Sequence, residues 1–215
     1  MTESSLAVTE RIVHTIADVS LENEHYFAEL DGVVGDGDFG ISLANGFRKL
    51  MEEWENLERT SPGAFLKKVS MIITSRVGGV SGAIWGTGFM RAGFAAGDKA
   101  DLTADDVIAM LRAAEEGMKK RGQADQGDKT LLDAFIPAVD ELERVIKNGG
   151  TTQEALDAAA VMARAQTEVI KPWIAKRGRA AYTGERSCDT YDAGSIAVAM
   201  MAERLAESWR QTTTS

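Results

Sequence analysis

The 215-residue sequence has one cysteine, Cys188, and two histidines, His14 and His25. A lone thiol excludes a disulfide framework within the chain, and a cysteine-rich zinc site with it. Both histidines fall in the first helical stretch, near no serine or cysteine motif, so nucleophilic triads find no support and the two read as surface or packing residues. No run of 18 apolar residues occurs, so no membrane span is expected. Glu, Arg and Asp interrupt the first 20 residues where a signal peptide needs an apolar core, and a cytoplasmic protein is the expectation. Basic residues are in the minority, 24 Lys and Arg against 33 Asp and Glu, giving a net charge of −9. That balance argues against a general nucleic-acid binder, which needs a basic stripe to release counterions. It leaves room for a local phosphate site. Alternating β patterns are nearly absent.

What is present is helical periodicity with an ordinary apolar content of 44%. Spacings of three and four residues predict about eight amphipathic segments, near 3–30, 39–56, 63–76, 81–97, 103–121, 129–147, 151–174 and 193–210. Thr103 with Asp106 forms a capping-box pattern, and Asp128 or Thr130 sits where a helix should begin. Pro137 falls inside a helical stripe and should kink it. The alanine-rich stretch after Thr151 suggests close helix packing. Short connections favour antiparallel neighbours, with longer loops near 31–38 and 175–192. The expectation is an all-α bundle forming one domain over 1–215.

Eleven of the 21 glycines lie in two windows, 32–46 and 78–93. A helix-interior glycine costs about 1 kcal/mol, so the clustering marks close helix crossings or a backbone that must approach a ligand. The first window, "LDGVVGDGDFGIS", sets Asp31, Asp36 and Asp38 among glycines. Gly35, Gly37 and Gly40 match the dinucleotide pattern literally, but a helix precedes and carboxylates would face pyrophosphate. An EF-hand fails because Ile41 occupies the required glycine. Two readings stand. The aspartates are solvated turn formers, or they are oxygen ligands for a hard metal such as magnesium, three carboxylates being enough for two ions.

The second window, "VGGVSGAIWGTGFMRAG", offers an anion site at Gly78, Gly79 and Ser81, or a close helix crossing through Gly82, Gly86 and Gly93. "GQADQGDKT" falls short of a phosphate loop because Asp128 separates Gly127 from Lys129. Arg177, Arg179 and Arg186 in the 176–195 stretch are either forked phosphate donors or a solvated charged loop. Cys188 lacks a partner that would make it a nucleophile. Trp54, Trp85, Trp173 and Trp209 are assigned to core or interface.

Taken together, "LDGVVGDGDFG", "VGGVSGAIWGTGF", "RGQADQGDKTLLDAFIPAV" and "GRAAYTGERSCDTYDAGSIAV" resemble, in order and spacing, the dihydroxyacetone kinase L-subunit family. The resemblance runs over essentially the whole chain. It implies a barrel of eight antiparallel helices that binds ADP or ATP through two Mg2+ ions at one end. It implies transfer of the γ-phosphoryl group to a ketose, dihydroxyacetone or a tetrulose, held on a separate K subunit. The phosphoryl source is either exchanging ATP or a phosphotransferase-system M-type protein that recharges bound ADP. By the resemblance, Asp31, Asp36 and Asp38 hold the metal. Phe39, Gly40, Ile41 and Ser42 form one nucleotide-contacting turn, and Val80 and Ser81 a second. Gly122 and Leu131 lie near the base, while Arg179, Asp192, Ala193 and Gly194 form the lid and closing loop. Phe39 stands where phosphotransferase-driven members typically carry histidine, and Ala193 where the family often has proline. The rival class is a nucleotide-dependent module that contacts a transcription regulator. Homo-oligomer formation is left open.

Overall fold

The computed structural model describes residues 3–77 and 79–213, without the side chains of 79, 80, 212 and 213. Among the described residues the chain is helical with no strand, as the periodicity predicts. It divides into two compact units, Met1–Glu22 with Ile41–Gln123 and Asn23–Gly40 with Ala124–Ser215.

The first unit contains α1 (Ser5–Glu22), most of α3 (Phe39–Glu52), α4 (Pro62–Arg76), α5 (Gly79–Ala96) and α6 (Ala104–Gly122). Thr9, Val13, Ala17 and Ser20 of α1 are buried, as are Leu43, Phe47 and Leu50 of α3, at the three- and four-residue spacing of a single helix face. Thr103 and Asp106 close the predicted capping box at the start of α6. Ser61 caps α4 by accepting the Ala64 N–H, with Pro62 in the first turn. His14 meets Trp54 edge-on at 5.4 Å and lies 3.0 Å from Asp18, a packing role.

Several glycines of this unit serve helix crossing. A Cβ on Gly93 would stand 2.9 Å from the Gly63 carbonyl oxygen, and one on Gly63 would strike the Gly97 and Gly93 carbonyls. A Cβ on Gly86 would collide with Thr74, and the Ser70 hydroxyl donates to the Gly86 carbonyl at 2.5 Å. α4 and α5 therefore meet backbone to backbone.

The second unit holds α2 (Glu24–Gly32), the Asp-Gly loop, α7 (Leu131–Lys147), α8 (Thr152–Ile170) and α9 (Ala193–Thr213). α8 packs on both α7 and α9. Its inner face is small, with Ala155, Ala159, Ala160 and Ala163 buried, and small side chains let helix axes approach. Thr130, rather than Asp128, caps α7, with Asp133 completing the box. α7 continues through Pro137 to Lys147 without a break.

Helix ends shift from the predicted segments, as at Glu52, Ile170 and Thr213, and two larger differences stand out. The predicted 3–30 segment ends at Glu22 and restarts at Glu24, because Asn23 leaves helical geometry (φ −111°, ψ 19°) while the apolar pattern runs on past it. The predicted 175–192 loop contains a 3-10 stretch, Arg179–Ser187, interrupted at Gly184 (φ 58°).

Gly63→Ala tests the crossing. On helix propensity alone alanine would stabilise by up to about 1 kcal/mol. The crossing predicts the opposite sign, a loss of roughly 1–3 kcal/mol from overpacking, read as a lower urea midpoint at unchanged slope.

Candidate metal centre and the loops around it

Helix α2 delivers Asp31 at its C-terminal end, and the chain then turns through Val33 and Val34 into the loop. The Asp31 carboxylate reaches forward and accepts the N–H of Phe39, the first residue of α3, at 3.3 Å. A carboxylate in that place satisfies an orphan amide and lies at the positive end of the helix. Phe27 and Phe39 meet with ring centroids 6.1 Å apart, and Gly40 lies so close to α2 that a Cβ would stand 2.5 Å from the Ala28 nitrogen. The two ends of the loop are thereby pinned, and Gly37, at φ +74°, makes the bend between Asp36 and Asp38.

One oxygen from each of Asp31, Asp36 and Asp38 lies within 4.8 Å of the other two. Three negative charges at that range repel by about 1 kcal/mol per pair in water and by several at a protein surface. Arg179 answers part of this charge, pairing with Asp36 and with Asp38, the latter at 3.0 Å. One guanidinium leaves the cluster with a formal surplus of negative charge. The donor set is oxygen only and largely exposed, which fits magnesium, an ion held by one or two carboxylates with water and phosphate completing its shell. His25, 87% exposed beside Glu29, takes no part in it.

A second charged group lies deeper in the same unit. Asp192 precedes α9 and accepts the Ser195 N–H at 2.6 Å. Its carboxyl is pushed up to about 7, first by burial, with Asp133 and Asp31 adding like charge and Ser195 and Lys129 opposing. Gly194 sits against Leu131, where a Cβ would come within 3.1 Å of the leucine side chain. Asp133, only 1% exposed, accepts the N–H groups of Gly127 at 2.5 Å and Thr130 at 2.7 Å. Burial raises its carboxyl and those two hydrogen bonds lower it.

The residues singled out in the sequence thus fall into two sets. The second unit gathers Asp31, Asp36, Asp38 and Arg179 at one cluster, and Leu131, Asp192, Ala193 and Gly194 where α7 and α9 begin; Phe39 and Gly40 close the loop. The first unit carries Ile41 and Ser42 in α3, Ser81 in the first turn of α5 and Gly122 at the end of α6. Gly78 and the side chain of Val80 lie outside the described residues. Arg177 approaches Asp128 at 3.4 Å.

Sequence reasoning passed over Lys129 and Asp133, which are both buried. Lys129 was legible only as a failed phosphate loop. The signal available was a lysine placed directly before a capping threonine.

The DAK2 domain family matches residues 33–207. The ADP-binding subunit DhaL of the PEP-dependent dihydroxyacetone kinase of Escherichia coli (strain K12) is 34% identical over 189 residues, covering 88% of this chain and 90% of that protein. The L-erythrulose kinase of Pectobacterium atrosepticum is 31% identical over 221 residues, covering 99% of this chain but 38% of that longer protein. Among solved structures, the dihydroxyacetone kinase from C. freundii in complex with AMP-PNP and Mg2+ aligns with a TM-score of 0.72 at 28% identity. The alignment takes in 94% of this chain and 34% of that one, so the chain spans about a third of the solved kinase.

The raised Asp192 carboxyl carries a stability consequence in magnesium-free buffer. Its folded pKa lies above the ordinary value, so its contribution is full below about pH 4 and is lost as pH rises through about 7. Asp192→Asn keeps an acceptor for the helix cap and removes the titration. Urea unfolding at pH 5 and pH 8 should show the wild type losing stability relative to this variant at the higher pH. Identical pH dependence in the two would contradict the assignment.

Proposed function

The chain belongs to the DAK2 domain family, and on that premise we propose that it is the nucleotide-binding, phosphoryl-donating subunit of a ketose kinase. The observation that carries the reading is the cluster of Asp31, Asp36 and Asp38 oxygens within 4.8 Å, faced by Arg179. A near full-length match to an ADP-binding kinase subunit supports it, as does a solved relative with AMP-PNP and Mg2+. Nothing in the comparisons favours the regulator-contacting module.

In this reading residues 1–215 act as one nucleotide-binding domain. The three aspartates hold two Mg2+ ions and, through them, the phosphates of ADP or ATP. When bound, magnesium neutralises phosphate oxygens and takes up charge that develops on the transferred group. The chain's own part is placement. Asp31 fixes its carboxylate on the α3 amide, Gly37 brings Asp36 and Asp38 round, and Arg179 offers forked donors to phosphate oxygens. By the family resemblance Phe39, Gly40, Ile41, Ser42, Val80 and Ser81 would contact the nucleotide, Gly122 and Leu131 would serve its base, and Asp192, Ala193 and Gly194 would form the closing loop. Phosphoryl transfer depends mainly on positioning and electrostatics, so a chain with only two histidines suffices.

The acceptor is a ketose on a separate K subunit, dihydroxyacetone or a tetrulose, since relatives of both kinds match. The extent of the match to a PEP-dependent, ADP-binding subunit favours ADP retained as a cofactor and recharged by a phosphotransferase-system protein.

Asp36→Asn and Asp38→Asn should each weaken magnesium-dependent ADP binding by at least ~100-fold in calorimetry, more than outer-shell changes usually do. Both side chains are exposed, and each loses repulsion from its neighbours together with its pairing to Arg179, so the fold should survive with a cooperative urea transition of unchanged slope. Unchanged affinity in both variants would overturn the metal assignment.

A further inference from the structure

Lys129 is 3% exposed and adopts a left-handed backbone, φ 60°, a region that disfavours any side chain. Its ammonium donates to three carbonyl oxygens, those of Lys171 and Trp173 at 2.8 Å each and of Ser187 at 2.6 Å. Three N–H donors meet three acceptors, so none remains for a phosphate, and the lysine is not a phosphate-loop residue. Burial pushes its pKa down, with the charge of Asp192 opposing.

The three carbonyls are not neighbours in sequence. Lys171 and Trp173 lead into the Arg179 loop and Ser187 leads out, so one buried cation ties the two feet of the loop together. Ser187 strengthens the same knot. Its hydroxyl accepts the Ala175 N–H at 2.9 Å and donates to the Gly184 carbonyl at 2.6 Å. Farther out, the Lys176 N–H donates to the Asp128 carbonyl at 3.0 Å, and its ammonium to the Gly127 carbonyl at 2.7 Å. Between the feet the loop is exposed, with Tyr182 92% accessible, and it carries Arg179 to Asp36 and Asp38. Within the span Arg177 also approaches Asp128 at 3.4 Å, and the Thr183 hydroxyl donates to the Ala180 carbonyl at 2.7 Å.

We propose that Lys129 is the positioning residue for Arg179, clamping both feet of the 174–186 loop so that the guanidinium is held at the aspartate cluster. Its effect on nucleotide rests on the proposed function, whereas its effect on the loop does not.

Two measurements on the full chain test it. In metal-free protein, Lys129→Met should speed hydrogen exchange of the amides in 176–186 by at least about tenfold and leave α8 unchanged. In calorimetry with Mg2+ and ADP, the same change should weaken binding by about 10- to 100-fold, the loss of a charged hydrogen bond. Made in an Arg179→Ala background, it should cost less than about twofold more, because residues acting through one another are not additive. The exposed Lys176→Ala, which loosens one foot without touching the core, should shift both readouts the same way by a smaller factor and serves if Lys129→Met does not fold. Unchanged loop exchange would overturn the proposal, and so would a full loss that persists without Arg179. A wild type that binds no Mg2+ and ADP would instead overturn the nucleotide reading, and the exchange result would still decide the clamp.

Discussion

Like charges at close range are the constraint around which the second unit is arranged. Asp31, Asp36 and Asp38 place oxygens within 4.8 Å of one another on a loop rich in glycine, where the chain could otherwise swing them apart. The fold prevents that. Asp31 is tied to the Phe39 amide, Phe27 meets Phe39, and Gly40 is pressed on α2. Holding repelling groups in place is what the proposed magnesium site requires, and Arg179 supplies only part of the balancing positive charge.

The opposite charge is treated with the same logic a short distance along the chain. Lys129 is buried, and its ammonium is hydrogen-bonded by three carbonyl oxygens. Asp133 is buried too, stabilised by backbone amides. Exposed charge at the loop and fully hydrogen-bonded charge beneath it divide the labour. In the proposed function the exposed groups meet ions and phosphate, while the buried ones fix the backbone that carries them.

Most of the helical framework was legible in the sequence because caps and periodicity are local signals. Thr103–Asp106 declared itself in a few residues, and the start of α7 was legible as either Asp128 or Thr130, of which the structure selects Thr130. The close crossing was half legible. Gly86 and Gly93 sit at helical spacing in a glycine-rich run, but their counterpart Gly63 stands at the start of the 63–76 segment with no glycine cluster around it to mark it. The break at Asn23 was not legible, since the apolar stripe continues through it. Neither was Lys129. A buried lysine has no periodic signature, and its three acceptors lie 42 to 58 residues away. The aspartates were legible as an anomaly of charge and spacing, although the same letters also spell solvated turns. Their convergence, and the arginine laid against them, is a fact of three dimensions.

The central claim is that these carboxylates bind a nucleotide through magnesium, and native mass spectrometry of the purified chain tests it most directly. With ADP and magnesium the account predicts a complex of one chain, one ADP and bound Mg2+, lost when the metal is chelated. A chain that stays ligand-free at millimolar ADP and magnesium, or that binds ADP equally well without metal, would contradict it.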